Sequence, residues 1–315
     1  MIATLDAADR ETFRVDFYEK EEPVLLRNVA TVPGAVECLA RTLKARIVRD
    51  EPDEENARLW HDIRPDTIAH LYETPQLIRE LFESDDVLLR ERHLRVWLSV
   101  RGHHTPWHYD ANSIHVFNLQ LRGTKRWRIV SPETPLMCVP FSNIGLYRNY
   151  SLARRRSFDF EANEGDLLFL PRYWFHSVTS LGDLNINLNW VLTPRRPAAS
   201  RTARREAELV WIKRRLYRLL PSDLRRSLDT YAGRHRNAVA SVVRAAFGIG
   251  MTEDALTGNV AAGSAIVRAL RETLKTPLVL AHLPMQLRTV AAMKRSRRLL
   301  RTRLPDTPIQ PSGPR

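Results

Sequence analysis

"TPWHYDANSIHVFNLQLRGTKRW", residues 105–127, places His108, Asp110, His115, Asn118 and Lys125 among apolar, strand-forming residues. An ordinary half-buried strand pair carries an apolar face and a solvated one. This density of imidazole, carboxylate, amide and ammonium therefore points to a built site. Alternate residues of an extended segment point the same way, so His108 and Asp110 face one cavity. The pair alone is weak evidence. With 10 histidines and 36 acidic residues in 315, chance supplies about one His-x-acid match.

A second stretch strengthens it. "GDLLFLPRYWFHSV" (165–178) runs from a Gly-Asp turn through an apolar strand and Pro171 to Trp174 and His176. Neighbouring rings suit a metal-binding imidazole held in a dry pocket, although a buried histidine bonded to a backbone carbonyl would read the same way. Two imidazoles and one carboxylate on one side of a metal form the facial triad of non-haem Fe(II) oxygenases, which leaves coordination positions open. Lys125 follows the Gly123 turn inside an aromatic and β-branched run, where lysine is a poor strand residue. It either points outward into solvent or points inward, where an anion must meet it. Asn118 lies an even number of positions from His108 and is expected on the same face, and Thr105 offers a hydroxyl at the pocket mouth. In "LNINLNWV" (184–191), Asn185, Asn187 and Asn189 alternate with apolar residues. The amides face either solvent or a polar cavity, with Asn187 or Asn189 the candidates for the cavity.

Outward from these motifs, "HLRVWLSVR", "SIHVFNLQLRG", "TKRWRIVSP" and residues 155–192 read as successive strands, with turns at Gly165-Asp166 and Gly182-Asp183. Many short strands indicate a sandwich or barrel rather than a βαβ array. Upstream come a short acidic helix, an apolar strand in "EPVLLRNV", a strand in "ARIVRDE", and two short helices in "RPDTIAHLYETPQLIRELFESDD", with Asp66 as a cap and Pro75 between them. Strand signals stop at "TPRRPAAS". Beyond it "AELVWIKRRLYRLL" is an amphipathic helix ended by Pro221, and Ser222 caps the next. The expected organisation is a β domain with an N-terminal flank over 1–197, a basic helical extension over 198–304, and a disordered Pro-rich tail over 305–315.

The composition, 43% hydrophobic and 27% charged, is that of a globular domain. The first residues lack a basic segment followed by an apolar run, so no secretory signal is expected. No apolar run reaches about 20 residues, the length of a membrane span. Two cysteines, Cys38 and Cys138, build no disulfide framework. These features make the cytoplasm the expected compartment. The net charge of +13 and a pI near 10.3 invite a nucleic-acid reading. The excess is almost all arginine and clusters in the C-terminal helices, without any nucleic-acid-binding motif. A solvated helical face is preferred to a nucleic-acid site, and a packing or dimerisation role for this end is likewise preferred to nucleic-acid delivery. Arg101, Arg148, Arg154, Arg155 and Arg156 form a candidate anion-attracting rim.

Taken in order, "TPWHYD…NLQLRGTKRWRIVSP" and "GDLLFLPRYWFHSV", with "EPVLLRNV" and "RVWLSVRG" before them, resemble the JmjC/cupin-like family of Fe(II)- and 2-oxoglutarate-dependent oxygenases across roughly residues 15–195. The resemblance implies a double-stranded β-helix, the jelly-roll or cupin barrel, with flanking helices. It implies that His108, Asp110 and His176 ligate Fe(II), and that Lys125 pairs with the distal carboxylate of 2-oxoglutarate with Thr105 assisting. Asn118 is implied to contact the co-substrate, and Asn189, from the alternation in 184–191, is the further candidate for that contact. The interval from the HYD motif to the Gln120–Gly123 stretch is two residues longer than in asparaginyl-hydroxylase-like members. The implied activity is hydroxylation of a protein side chain or of a small amino-acid-like or natural-product substrate. A non-catalytic cupin-like protein that binds a ligand or partner is the alternative.

Overall fold

The computed structural model describes residues 1–27, 60–63, 73–84, 86–90, 94–110, 113–138, 156–196, 200–234 and 262–278, with isolated residues between them. The expected strand at 45–51, the Asp66 cap with its helix, the rim arginines Arg148, Arg154 and Arg155, Cys38 and the Pro-rich tail lie outside the described residues.

Strands β1 (Ala3–Asp6) and β2 (Val24–Arg27) enclose the short helix α1 (Arg10–Thr12), which runs into a π-helical turn over Phe13–Tyr18. Asp9 caps α1 by accepting from the Thr12 amide at 3.3 Å. β3 (Trp60–Ile63), α2 (Gln76–Glu83) and β4 (Val87–Arg90) follow. The strands of the motif region are β5 (Leu94–Val100), β6 (His104–His108), β7 (His115–Arg122), β8 (Lys125–Val130), β9 (Phe158–Ala162), β10 (Leu167–Leu170), β11 (Phe175–Ser180) and β12 (Leu184–Pro194). Helices α3 (Arg201–Leu219), α4 (Ser222–Arg234) and α5 (Ala262–Leu274) complete the described chain. No helix among the described residues is long and apolar enough to cross a membrane.

The strands form two sheets. The larger has the order β1-β2-β10-β7-β12-β5-β3, with β4 also paired to β12; the smaller has the order β6-β11-β8-β9. Among the described residues only β1 and β2 pair in parallel. Period-2 alternation sorts the larger sheet's side chains into two buried layers. Val24, Leu26, Phe117, Leu119, Leu167, Phe169, Ile186, Leu188 and Trp190 pack against Phe13, Tyr18, Leu77 and Ile78 of the N-terminal helical segments. Their neighbours Leu25, Val116, Leu168, Leu170 and Val191 turn to the other side and pack with Trp127 and Ile129 of the smaller sheet and with Trp174, just before β11. β7 and β12 are therefore covered on both faces. That explains why they read as nearly continuous apolar runs broken only by amides.

In β8 the alternation is clean. Lys125, Trp127 and Ile129 are buried, while Arg126 and Arg128 face outward and pair with Asp159 on β9, with closest approaches of 2.7 and 3.0 Å. Arg101, from the proposed rim, is exposed and paired with Asp183 at 3.0 Å.

Ser200 caps α3 by accepting from the Ala203 amide at 3.1 Å. The helix is not wholly solvated. Ala203 and Val210 pack into a cluster of Trp107, Tyr109, Val130, Tyr173 and Phe175 on the back of the smaller sheet. The Tyr109 hydroxyl donates to buried Glu206 of α3. The first helix of the basic extension thus shares a core with the sheet that carries the histidines.

Candidate metal centre

β6 and β11 are antiparallel neighbours in which His108 and His176 are direct register partners. Their rings lie 4.1 Å apart at 56°. Asp110 stands two residues beyond the end of β6. Its Oδ2 lies 4.0 Å from Nε2 of His176, and the candidate ligand atoms of all three residues lie within 4.8 Å of one another. The parity expected for His108 and Asp110 therefore survives the end of the strand. The Tyr109 amide donates to the Asn143 carbonyl at 3.3 Å, which fixes the backbone between the two residues.

The histidine tautomers follow from their neighbours. Nδ1 of His108 lies 2.8 Å from the Pro106 carbonyl, and Nδ1 of His176 lies 3.0 Å from the Trp174 carbonyl. A carbonyl only accepts, so each Nδ1 carries a proton and Nε2 is the nitrogen each ring offers to a metal. Burial, reinforced by neighbouring His108 and opposed by Asp110, pushes the His176 pKa down to about 4. His176 is therefore neutral at physiological pH. Two imidazoles and a carboxylate match a facial ligand set for a divalent cation such as Fe(II).

The same cleft is lined by Thr105, Asn118, Lys125 and Asn189, with Trp97, Trp127 and the apolar side chains of Val116, Leu170, Val178 and Val191. The expected metal ligands His108, Asp110 and His176 and the expected co-substrate contacts Thr105, Asn118, Lys125 and Asn189 all line this one cleft. Asn118 does so for a different reason from the one expected. It is not on a continuation of the His108 strand; it sits on β7 of the larger sheet and meets the histidines across the space between the sheets. Asn187 is buried in the same amide row, hydrogen-bonded behind the cleft. Asn185 is buried too and donates to the Gly182 carbonyl at 2.8 Å, beside the turn.

Lys125 is 6% exposed, and among the described residues no anion pairs with it. Burial alone brings its pKa down to about 7. Removing an ammonium from water without a partner is unfavourable, so the position suits an anionic ligand. The Trp127 indole N–H is likewise buried without an acceptor among the described residues. These orphan donors, beside three converging metal ligands, fit a small dicarboxylate that chelates a metal at one end.

A row of buried amides backs the cleft. The Asn189 amide lies 2.6 Å from that of Asn118 and 2.8 Å from the Trp97 indole nitrogen. Asn187 donates to Asn118 at 2.9 Å and also to Gln120. Gln120 in turn donates to the Arg122 carbonyl at 2.6 Å and the Gly123 carbonyl at 3.2 Å. The row thus runs from the cleft to the turn from which Lys125 starts. Gly123 has φ +74°, and a Cβ there would sit 2.4 Å from the Leu184 carbonyl oxygen. Only glycine fits.

Sequence reading missed Trp97, Trp127 and Gln120. Parity with Lys125 on β8 and with Asn118 on β7 could have found the last two. Trp97 enters from a separate strand and carries no local signal.

Residues 66–191 match the cupin-like domain family. HSPB1-associated protein 1 of Rattus norvegicus is 27% identical over 112 residues, which are 30% of this chain and 23% of that protein. Ribosomal oxygenase 2 of Rattus norvegicus is 40% identical over 76 residues, 22% of this chain and 14% of that protein. This chain thus spans less than a quarter of the length of either relative. Among solved structures, the ribosomal oxygenase YcfD of Escherichia coli aligns with 64% of this chain and 42% of its own, at 21% identity and a TM-score of 0.26. Over residues 66–191 this chain is thus similar to cupin-like domains.

Proposed function

We propose that this protein is an Fe(II)- and 2-oxoglutarate-dependent oxygenase, and that its two sheets are the halves of a double-stranded β-helix. One observation carries the reading: three candidate metal-ligand atoms converge within 4.8 Å in a cleft that also holds a buried lysine unpaired among the described residues. A cupin-like protein that only binds a partner has no evident need for both.

In this reading His108, Asp110 and His176 hold the metal. When bound, ferrous iron supplies the oxidation of 2-oxoglutarate by O₂ to succinate and CO₂, with one oxygen atom inserted into a substrate C–H bond. The protein's own residues do the rest. Lys125 pairs with the distal carboxylate of 2-oxoglutarate, which restores its proton and fixes the keto acid end toward the metal. Thr105 and the Trp127 indole add polar contacts at that carboxylate. Asn118 and Asn189 present amides to the co-substrate from the larger sheet. Val116, Leu170, Val178 and Val191 exclude water from the reacting end of the cleft.

Hydroxylation is the proposed outcome, on a protein side chain or a small amino-acid-like or natural-product substrate. The sequence match to a ribosomal oxygenase makes a polypeptide side chain the first class to assay. The test is succinate formation from 2-oxoglutarate under air with added Fe(II). The purified protein should turn over slowly without substrate, and His108→Ala should not. Turnover that survives chelation of iron contradicts the assignment.

A further inference from the structure

Among the described residues only Glu21, Ser113 and Tyr173 combine a side chain with a left-handed backbone, at φ 57°, 56° and 66°. That conformation is disfavoured wherever a Cβ is present. The three come from distant parts of the sequence, yet all adjoin one side chain, Arg172, which is 3% exposed. Arg172 donates to the Glu21 carboxylate through Nε at 3.0 Å and also through Nη2. Its Nη1 donates to the Ser113 hydroxyl at 3.2 Å, and Nη2 also donates to the Arg196 carbonyl at 2.8 Å. Tyr173 is the next residue, and its hydroxyl shares a hydrogen bond with Ser113. The backbone amide of Arg172 donates to Nδ1 of His115 at 3.0 Å, and the Trp174 indole donates to the Glu21 carbonyl at 2.9 Å.

The location of this knot gives it meaning. Ser113 lies three residues beyond Asp110, in the connection from β6 to β7. Arg172 lies four residues before His176, in the connection from β10 to β11. His108 and His176 are held to each other by sheet pairing, but Asp110 is beyond the strand and has no such ladder. We infer that Arg172 is a positioning residue for the metal centre: its buried guanidinium clamps the connection carrying Asp110 to the one delivering His176, with Glu21 of the N-terminal segment as counter-anchor. The inference rests on the proposed metal-binding role of His108, Asp110 and His176. Backbone strain that persists at three residues around one ion pair is what a site demanding fixed geometry would retain. Partners behind metal ligands set affinity in the same manner.

The decisive variant is Ser113→Gly. Glycine relieves the φ of 56° while removing the hydroxyl that receives Nη1, so the backbone gain offsets the cost of the unpaired donor and the metal-free stability should change little. Arg172→Lys is its companion, since an ammonium cannot bridge Glu21, Ser113 and the Arg196 carbonyl together. The metal-free full-length protein and both variants would be titrated with Co(II), following its visible ligand-field bands, and melted without metal. Wild type should bind one Co(II), and His108→Ala should abolish it. Ser113→Gly should keep its metal-free melting temperature, bind Co(II) about tenfold or more weakly, and show altered bands at saturation. Arg172→Lys should not restore wild-type affinity. Wild-type affinity and bands in Ser113→Gly and Arg172→Lys would overturn the clamp and leave the metal site standing. Weaker binding with unaltered bands and a matching loss of metal-free stability would also overturn it. If wild-type Co(II) uptake persists in His108→Ala, or is absent altogether, the metal site falls and the clamp with it.

Discussion

His108 and His176 face each other as direct partners across β6 and β11, their rings 4.1 Å apart, each with Nδ1 tied to a backbone carbonyl two residues earlier in the chain. Such an arrangement aims both Nε2 atoms at one point without a metal having to organise them. A ligand that binds only the folded state raises its stability by mass action. Fe(II) or Co(II) should therefore raise the melting temperature of the wild-type protein. His108→Ala, Asp110→Ala and His176→Ala should each lose most of that rise. Differential scanning of each variant with and without metal checks this, and an undiminished rise in His176→Ala would count against it.

Lys125 supplies a pH signature. Its pKa in the free protein is brought down to about 7 by burial, and an anion beside it raises that value again. Under the proposed function, binding of 2-oxoglutarate then requires proton uptake above pH 7. The dissociation constant should rise about tenfold per pH unit between pH 7 and 9 as the competent ammonium becomes scarcer. The same shift makes the free protein more stable as pH rises from 7 toward 10, because the unfolded lysine still holds a proton that the folded one has lost. Lys125→Met should bind weakly at every pH and lose the slope. Calorimetry in buffers of different ionisation enthalpy reads both the affinity and the proton uptake.

Gly123 sets where Lys125 begins. A methyl group there meets the Leu184 carbonyl and the Asn185 amide on an unfavourable backbone. Gly123→Ala should cost about 2 kcal/mol or more in denaturant unfolding. In whatever fraction folds, it should weaken 2-oxoglutarate more than it weakens the metal. Equal stability to wild type would show that the turn has room that its contacts deny.

The amide row should behave as one unit. Asn187→Leu deletes a donor to both Asn118 and Gln120 and leaves buried acceptors unpaired, at a cost of about 1 to 3 kcal/mol. Combining it with Asn118→Ala should cost less than the sum of the single changes. Strict additivity in urea unfolding would indicate that the two side chains act independently.

Helix α3 belongs to the core of the sheet it covers. Val210 is fully buried among Tyr109, Tyr173 and Phe175. Val210→Ala should cost about 2 kcal/mol, and removal of residues from 198 onward should expose that aromatic cluster and weaken metal uptake. A truncated protein with wild-type stability and metal binding would refute this.

Much of the site was legible because strand periodicity is short and strict. Lys125 faces inward for the reason its flanking residues suggest: Trp127 and Ile129 share its parity, and Arg126 and Arg128 take the solvent side. The Asn187 and Asn189 alternation could not be resolved from sequence, since β12 is covered on both faces and its apolar set packs against the N-terminal helical segments. Asn118 illustrates a limit of counting. Its even spacing from His108 crosses a change of sheet, so their convergence comes from the packing of two layers rather than from one strand. The Arg172 knot was illegible altogether, because a left-handed Glu, Ser and Tyr have no residue-type signature and meet only in three dimensions. The arginine-rich C-terminal segment left a solvated face and a packing face both open, and α3 places Glu206, Val210 and Lys213 inside, a choice that tertiary packing makes and the charge pattern does not.

The most direct measurement is metal stoichiometry. Metal-free protein equilibrated anaerobically with Fe(II) and washed by dialysis should retain one iron per chain, and single alanine substitutions at His108, Asp110 and His176 should each retain almost none. Iron held equally well by all three variants, or by none of the proteins including wild type, would contradict the convergence of these side chains on a single ion.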